Sequence, residues 1–360
     1  MRLLAALALC GCSTAALPAL PPPSGDAATV FVPGYKGSFL AGENGDRAWL
    51  TPASALSGGD RSLALPFPGD RLGPHFGALH PDGPLTRLSV LGIGEDVYLH
   101  FLEFFARSVP SPVAFSYDWR QDVRDSGRAL CAALARLPAR RVTLVAHSMG
   151  GLVALACLQQ GAPTVRKVIF AGTPFGGSPK IFPDLVRGDH VGRNHALLSA
   201  EALFTFASAF QLLPPAPDFL QGERGDPFSP AFWTGRGVGV FAEPARRTDA
   251  AYLGQLRRML LAHEAWHLAM RGATVPGALV IVGVGHATVS GVRVAGGRFD
   301  FDHPPTADGD GTVTAASARP AFAHEELVTH ALHTALLDDA AVQQAIVQQA
   351  VAQASAAATE

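Results

Sequence analysis

Val142-Thr143-Leu144-Val145-Ala146-His147-Ser148-Met149-Gly150-Gly151-Leu152 decides the fold. A β-branched apolar run ends in a serine set between small residues, and an apolar helical pattern begins at once. This is the sequence form of a nucleophile elbow, in which a strand turns sharply into a helix and holds the serine hydroxyl exposed above a sheet. The usual spacing is G-x-S-x-G, because a side chain two positions either side of the serine would meet neighbouring backbone. Ala146 stands at the first glycine position, and a methyl group is small enough for the turn to admit.

Working outward, short apolar runs alternate with helical patterns. Strands are expected at 29–32, stopped by Pro33-Gly34, and at 113–116, 142–147, 167–171, 278–283 and about 322–328. Helices are expected at 96–107, 123–137, after Ser148, and about 339–351. Strands alternating with helices imply an α/β fold: a mostly parallel central sheet with helices on both faces. Two segments break the alternation. Residues 38 to about 95 are rich in Gly, Pro and Asp and read as a lid-like excursion above the sheet. Residues 175 to about 265 interleave Phe and Leu with Gly and Pro and read as a helical cap insertion over the site. The domain is expected to span 27–352, with a frayed tail at 353–360.

A serine needs a base to take its proton, and the base needs a carboxylate to fix its tautomer and stabilise its charge. In hydrolases built on such a sheet these partners follow the serine as acid, then histidine. Asp308-Gly309-Asp310-Gly311-Thr312-Val313 supplies an acidic glycine-rich loop, with Asp310 at its tip preferred over Asp308. A calcium loop fits less well, for want of a glutamate at the required spacing. His324, His330 and His333 come next. His333 opens a loop-to-helix run and is the expected base, with His330 the alternative. For the oxyanion, one N–H is expected from Met149 and a second from Tyr35 in the loop after the first strand.

The 360 residues are 48% hydrophobic and 16% charged, ample for one large domain with insertions. A net charge of −2 and the lack of any Lys/Arg cluster exclude a nucleic-acid binder. No apolar run approaches the roughly 20 residues of a spanning helix. Residues 1–12 read as a secretory signal ending in Leu9-Cys10-Gly11-Cys12, a lipobox-like sequence that would lipidate Cys12. This predicts a lipoprotein of the bacterial cell envelope, anchored at the outer membrane, with a secreted or periplasmic form as the alternative. Residues 13–26 read as a Pro-rich tether. Cys131 and Cys157 are expected as buried free thiols, with a disulfide between them the alternative in an oxidising compartment, since sequence cannot show their Cα atoms close enough to pair. No metal or organic cofactor is expected.

Val32-Pro33-Gly34, Tyr117-Asp118-Trp119-Arg120, Ala146-His147-Ser148-Met149-Gly150-Gly151, Gly172-Thr173-Pro174-Phe175-Gly176-Gly177 and Gly309-Asp310-Gly311-Thr312-Val313 occur in succession, and Gln211-Leu212-Leu213-Pro214 lies in the cap. Together they resemble the lecithin:cholesterol acyltransferase family of α/β-hydrolases. The resemblance implies Ser148 as nucleophile, Asp310 and His333 as its triad partners, Tyr35 and Met149 as oxyanion donors, and lipid esters as substrates. Residues 38–100 contain no cysteine, so the lid disulfide of the animal members is absent. Two alternatives stand beside a lipid acylhydrolase or acyltransferase. One is a carboxylesterase for small soluble esters; the other is a lipid-anchored binding protein without catalysis.

Overall fold

The computed structural model describes residues 18, 20–51, 54–55, 60–90, 93–222 and 225–357. Cys12, the expected signal segment 1–12 and most of the expected tether lie outside the described residues.

Six strands form the central sheet: β1 (Ala27–Val32), β2 (Pro112–Ala114), β3 (Arg141–His147), β4 (Val165–Ala171), β5 (Ala278–Gly283) and β6 (Glu325–Thr329). Their order is β6-β5-β4-β3-β1-β2, and every neighbouring pair is parallel. The parallel pairing explains the composition. With helices over both faces, β5 is buried along its whole length and reads as an unbroken apolar run, not an alternating one. Register places Val32 of β1 beside Ala146 of β3, and His147 beside Ala171 of β4, so three strand ends converge at one point of the sheet's upper rim.

Each face has its own core. On one side α1 (Leu99–Ser108) and α5 (Ala340–Ala357) cover Phe31, Val145, Ile169 and Ile281 with Phe101, Leu102, Phe105, Val342 and Ile346. On the other side α2 (Val123–Leu134) and α3 (Met149–Gln159) pack against Val30, Leu144, Val168 and Val280. Alternate residues of β3 therefore serve opposite cores, the period-2 geometry of a strand buried on both sides. That second core continues without a break into the cap, whose long helix α4 (Ala250–Met270) lies over the short helix Ala207–Gln211.

Two expectations are corrected. Cys131 and Cys157 are not free thiols: they form a disulfide joining α2 to α3, with Cα atoms 5.3 Å apart. The cause is the close approach of these helices, where a Cβ on Gly127 would stand 2.6 Å from the Ala156 Cβ. The C-terminal helix does not fray at 353 but continues to Ala357. The 38–95 excursion carries short antiparallel pairs of its own. Ser38–Ala41 pairs antiparallel with Arg47–Trp49 and His80–Pro84, and Arg87–Val90 with Ile93–Asp96. It is also tied to the cap, since the Leu63 N–H donates to the Leu197 carbonyl and the Leu65 N–H to Thr205 Oγ1.

Candidate active site

Strand β3 delivers Ser148 to the rim with φ 54° and ψ −129°, a conformation that costs an L residue strain and persists only where surroundings enforce it. The enforcement is visible. The Ser148 N–H donates to the Ala171 carbonyl at 2.8 Å, and its carbonyl takes the Gly151 N–H at 3.0 Å. A Cβ on Gly150 would collide with the carbonyls of Val32 and Pro33, and one on Gly151 with the Thr173 side chain. These are the contacts that exclude larger residues C-terminal to the serine. Ala146 is fully buried without disturbing the turn.

The acid loop and the histidine loop meet at this serine. His333 Nε2 lies 3.0 Å from Ser148 Oγ, and its Nδ1 lies 2.7 Å from Asp310 Oδ2. A carboxylate only accepts, so the Nδ1–H donates to Asp310 and leaves a bare Nε2 to accept the serine proton. Asp310 is 1% exposed and its other oxygen accepts the N–H groups of Thr312 and Val313, at 2.9 and 2.7 Å. Burial alone would raise this carboxyl, but the His333 ring and the two backbone donors outweigh it and hold the group below the usual carboxylate range. The His333 N–H also donates to the Asp310 carbonyl, joining the two loops through backbone.

Asp308, His330 and His324 make their hydrogen bonds elsewhere. Asp308 braces the turn by accepting the Gly285 N–H at 2.6 Å. His330 presents its carbonyl to His286 Nε2, and its ring lies against Gly285. His324 turns back on the Phe322 carbonyl.

Met149 opens α3, so its N–H is among the amides a helix leaves without an intrahelical partner. Tyr35 sits in a tight turn closed by Gly37 N–H on the Gly34 carbonyl, with Lys36 at φ 62°. This loop runs directly over the nucleophile: a Cβ on Gly34 would stand 2.8 Å from the Ser148 Cβ. It is braced by the Tyr117-Asp118-Trp119-Arg120 segment. Tyr117 donates its hydroxyl to the Pro33 carbonyl, the Trp119 indole donates to the Ser38 carbonyl, and Arg120 pairs with Asp118 while reaching the Leu63 carbonyl. On its outer side Lys36 donates to Asp189 at 2.7 Å and lies 4.0 Å from Asp184, whose carboxyl burial pushes up to about 6.

Two residues at the site were not singled out by sequence reasoning. His147, next to the serine, is buried with its Nδ1 2.8 Å from the Tyr98 hydroxyl and its Nε2 3.0 Å from the His333 carbonyl. Burial, with the neighbouring His333 ring, pushes its pKa down to about 3, so the ring is neutral. Tyr98 in turn accepts the Gly34 N–H at 2.9 Å. Adjacency to Ser148 was the one signal for His147; Tyr98 arrives from the end of a long excursion and had none.

Sequence reasoning also passed over His263-Glu264-Ala265-Trp266-His267, the spelling of a zinc-protease helix. Here His263 Nδ1 donates to the Phe210 carbonyl and His267 Nε2 to the Leu213 carbonyl, satisfying carbonyls at the end of Ala207–Gln211. Among the described residues no group of three His, Cys, Asp or Glu side chains converges as metal ligands.

The chain is similar in part to several known proteins. Residues 109–236 match the family model described as lecithin:cholesterol acyltransferase. That segment holds the Tyr117–Arg120 brace, the elbow and Gly172–Gly177, while Asp310 and His333 lie beyond it. Over 192 residues the chain is 29% identical to an uncharacterized protein of Saccharomyces cerevisiae, YJR098C, covering 51% of this chain. The chain spans 28% of that relative's length. Among solved structures, one in the Tle4–Tli4 complex aligns with a TM-score of 0.56 and 15% identity, over 92% of this chain and all of that one. A lipase of Bacillus licheniformis, BlEst2 in mature form, aligns with a TM-score of 0.38 and 14% identity, over 89% of this chain and 91% of that one.

Proposed function

We infer that this chain, which has an α/β-hydrolase fold and whose residues 109–236 match the lecithin:cholesterol acyltransferase family model, is a serine acylhydrolase or acyltransferase acting on lipid esters, phospholipid or acylglycerol. The observation that carries this reading is the continuous line from Ser148 Oγ through His333 to Asp310, at 3.0 and 2.7 Å. His333 Nε2 takes the Ser148 proton as Oγ attacks the ester carbonyl, and Asp310 stabilises the imidazolium that forms. The oxyanion is held by the N–H groups of Met149 and Tyr35. The intermediate collapses with His333 returning the proton to the departing alcohol, leaving an acyl-Ser148. Water or a second alcohol, deprotonated by the same nitrogen, then takes the acyl group.

The preference for lipid rests on the Phe- and Leu-rich cap that continues the core above the sheet, and on Cys12 as a lipid anchor at the cell envelope. Intact mass after treatment with a fluorophosphonate tests the nucleophile: one adduct on wild type, lost in Ser148→Ala, is expected. An unmodified, folded wild type overturns the reading. Long-chain esters are expected to be cleaved in preference to short ones, and the reverse order would assign a small-ester carboxylesterase. Cys12→Ser is expected to move the protein from the membrane to the soluble fraction.

A further inference from the structure

The Tyr98–His147 pair joins two loops that the proposed reaction uses separately. His147 Nε2 faces a carbonyl, which only accepts, so that nitrogen carries the proton and donates to His333. Its Nδ1 is then a bare acceptor and takes the Tyr98 O–H. Having given its proton to His147, the Tyr98 oxygen accepts the Gly34 N–H. The chain of bonds runs in one sense only: Gly34 N–H to Tyr98, Tyr98 O–H to His147, His147 N–H to the His333 carbonyl.

Both ends are at the site. Gly34 precedes Tyr35, the expected oxyanion donor, in the turn that overlies Ser148. The other end is the main chain of the histidine that contacts Ser148 Oγ. In between, the His147 ring lies against that of His333, centroids 4.8 Å apart, and the Tyr98 ring is fixed edge-on against Phe31, at 5.0 Å. The side-chain hydrogen bonds of both residues go elsewhere than Ser148 Oγ, which pairs with His333.

Resting on the acyl-Ser148 reading, we propose that Tyr98 and His147 are positioning residues that lock the oxyanion loop and the histidine loop into one geometry. Their bonds orient the Tyr35 amide and the His333 ring together, so removing either bond loosens both. A neutral imidazole suits this place: a charged ring would donate from both nitrogens, breaking the bond from Tyr98 and facing His333 across a short gap.

The test uses Tyr98→Phe, His147→Leu, their double variant and His147→Gln, whose amide offers one acceptor and one donor. Turnover of a soluble p-nitrophenyl ester and the rate of fluorophosphonate labelling are measured on each, with melting temperature as a check on folding. Misplaced reacting groups cost up to about a hundredfold in rate. Tyr98→Phe is expected to lower kcat about tenfold to a hundredfold with KM within about twofold. Because the two residues act as one relay, the double variant is expected to be no slower than the slower single one, and His147→Gln to recover activity that His147→Leu loses. Single losses that multiply in the double variant overturn the relay, as does a Tyr98→Phe protein labelled at the wild-type rate. A wild type that the probe does not modify removes the acyl-Ser148 reading itself, and the relay falls with it.

Discussion

Lowering the pH from 7 to 5 destabilises the protein through His263, by an amount the structure allows to be worked out. The ring is 3% exposed, stacked on Phe228 with centroids 4.2 Å apart, and donates from Nδ1 to the Phe210 carbonyl. Burial, helped by the adjacent His267, pushes its pKa down from 6.5 to about 4. Between those values the unfolded chain binds a proton that the folded protein does not, so stability is full above 6.5 and falls as the pH drops toward 4. At pH 5 the difference amounts to roughly 1.5 pH units of uncompensated protonation, or about 2 kcal/mol. His147, also depressed, acts in the same sense. Asp184 acts in the opposite sense, since its raised carboxyl picks up a proton near pH 6 and burial then costs it less. A comparison isolates His263: Asn at this position keeps an N–H where Nδ1 stands but does not titrate. Urea denaturation of wild type and His263→Asn at both pH values should show wild type losing about 2 kcal/mol more. Equal losses would refute the argument, because everything else that titrates is shared.

Gly172 has φ 59°, and a Cβ there would stand 3.0 Å from His333 Nδ1 and 3.1 Å from Asp310 Oδ2. Gly172→Ala is expected to cost about 1–2 kcal/mol of stability from the left-handed backbone. It should also lower kcat on a soluble ester about tenfold or more by displacing that hydrogen-bonded pair, with KM little changed; wild-type kcat would show that the pair tolerates the intrusion. Cys131→Ser opens a loop with a sequence separation of 26 residues. It is expected to destabilise the protein by about 3 kcal/mol, read by urea denaturation, and a stability equal to the oxidised wild type would show the helix pair to be held by packing alone.

Much of the site could be read in the sequence because its parts are local signals in a fixed order. The elbow is one contiguous stretch, and the Asp310 loop and His333 follow strands whose apolar runs stand out by themselves. Choosing Asp310 over Asp308 and His333 over His330 rested on turn position and on the helix behind His333, and those two residues are the ones that meet at Ser148. What escaped depends on the packing of distant segments. Cys131 and Cys157 each sit on a helix, but only the approach permitted at Gly127 brings those helices together. Tyr98 has no neighbour in sequence that marks it. Its role is defined by Gly34 and His147, 64 and 49 positions away. The excursion holds strands of three to five residues, too short for periodicity to register. His263 and His267 show the opposite failing, a familiar spelling used to hold two helices together.

The two outermost strands of the sheet bear on how copies of this chain could meet. At one margin β2 is three residues long and begins with Pro112, which has no N–H to offer a newcomer. At the other, β6 begins Glu325-Glu326, and both carboxylates are already claimed, by Lys167 and Arg319. Short, proline-started and charge-guarded margins are poor templates for another strand. The sheet therefore resists growing from one molecule into the next, and crowding of the protein at high concentration should not seed β-rich aggregates through these margins.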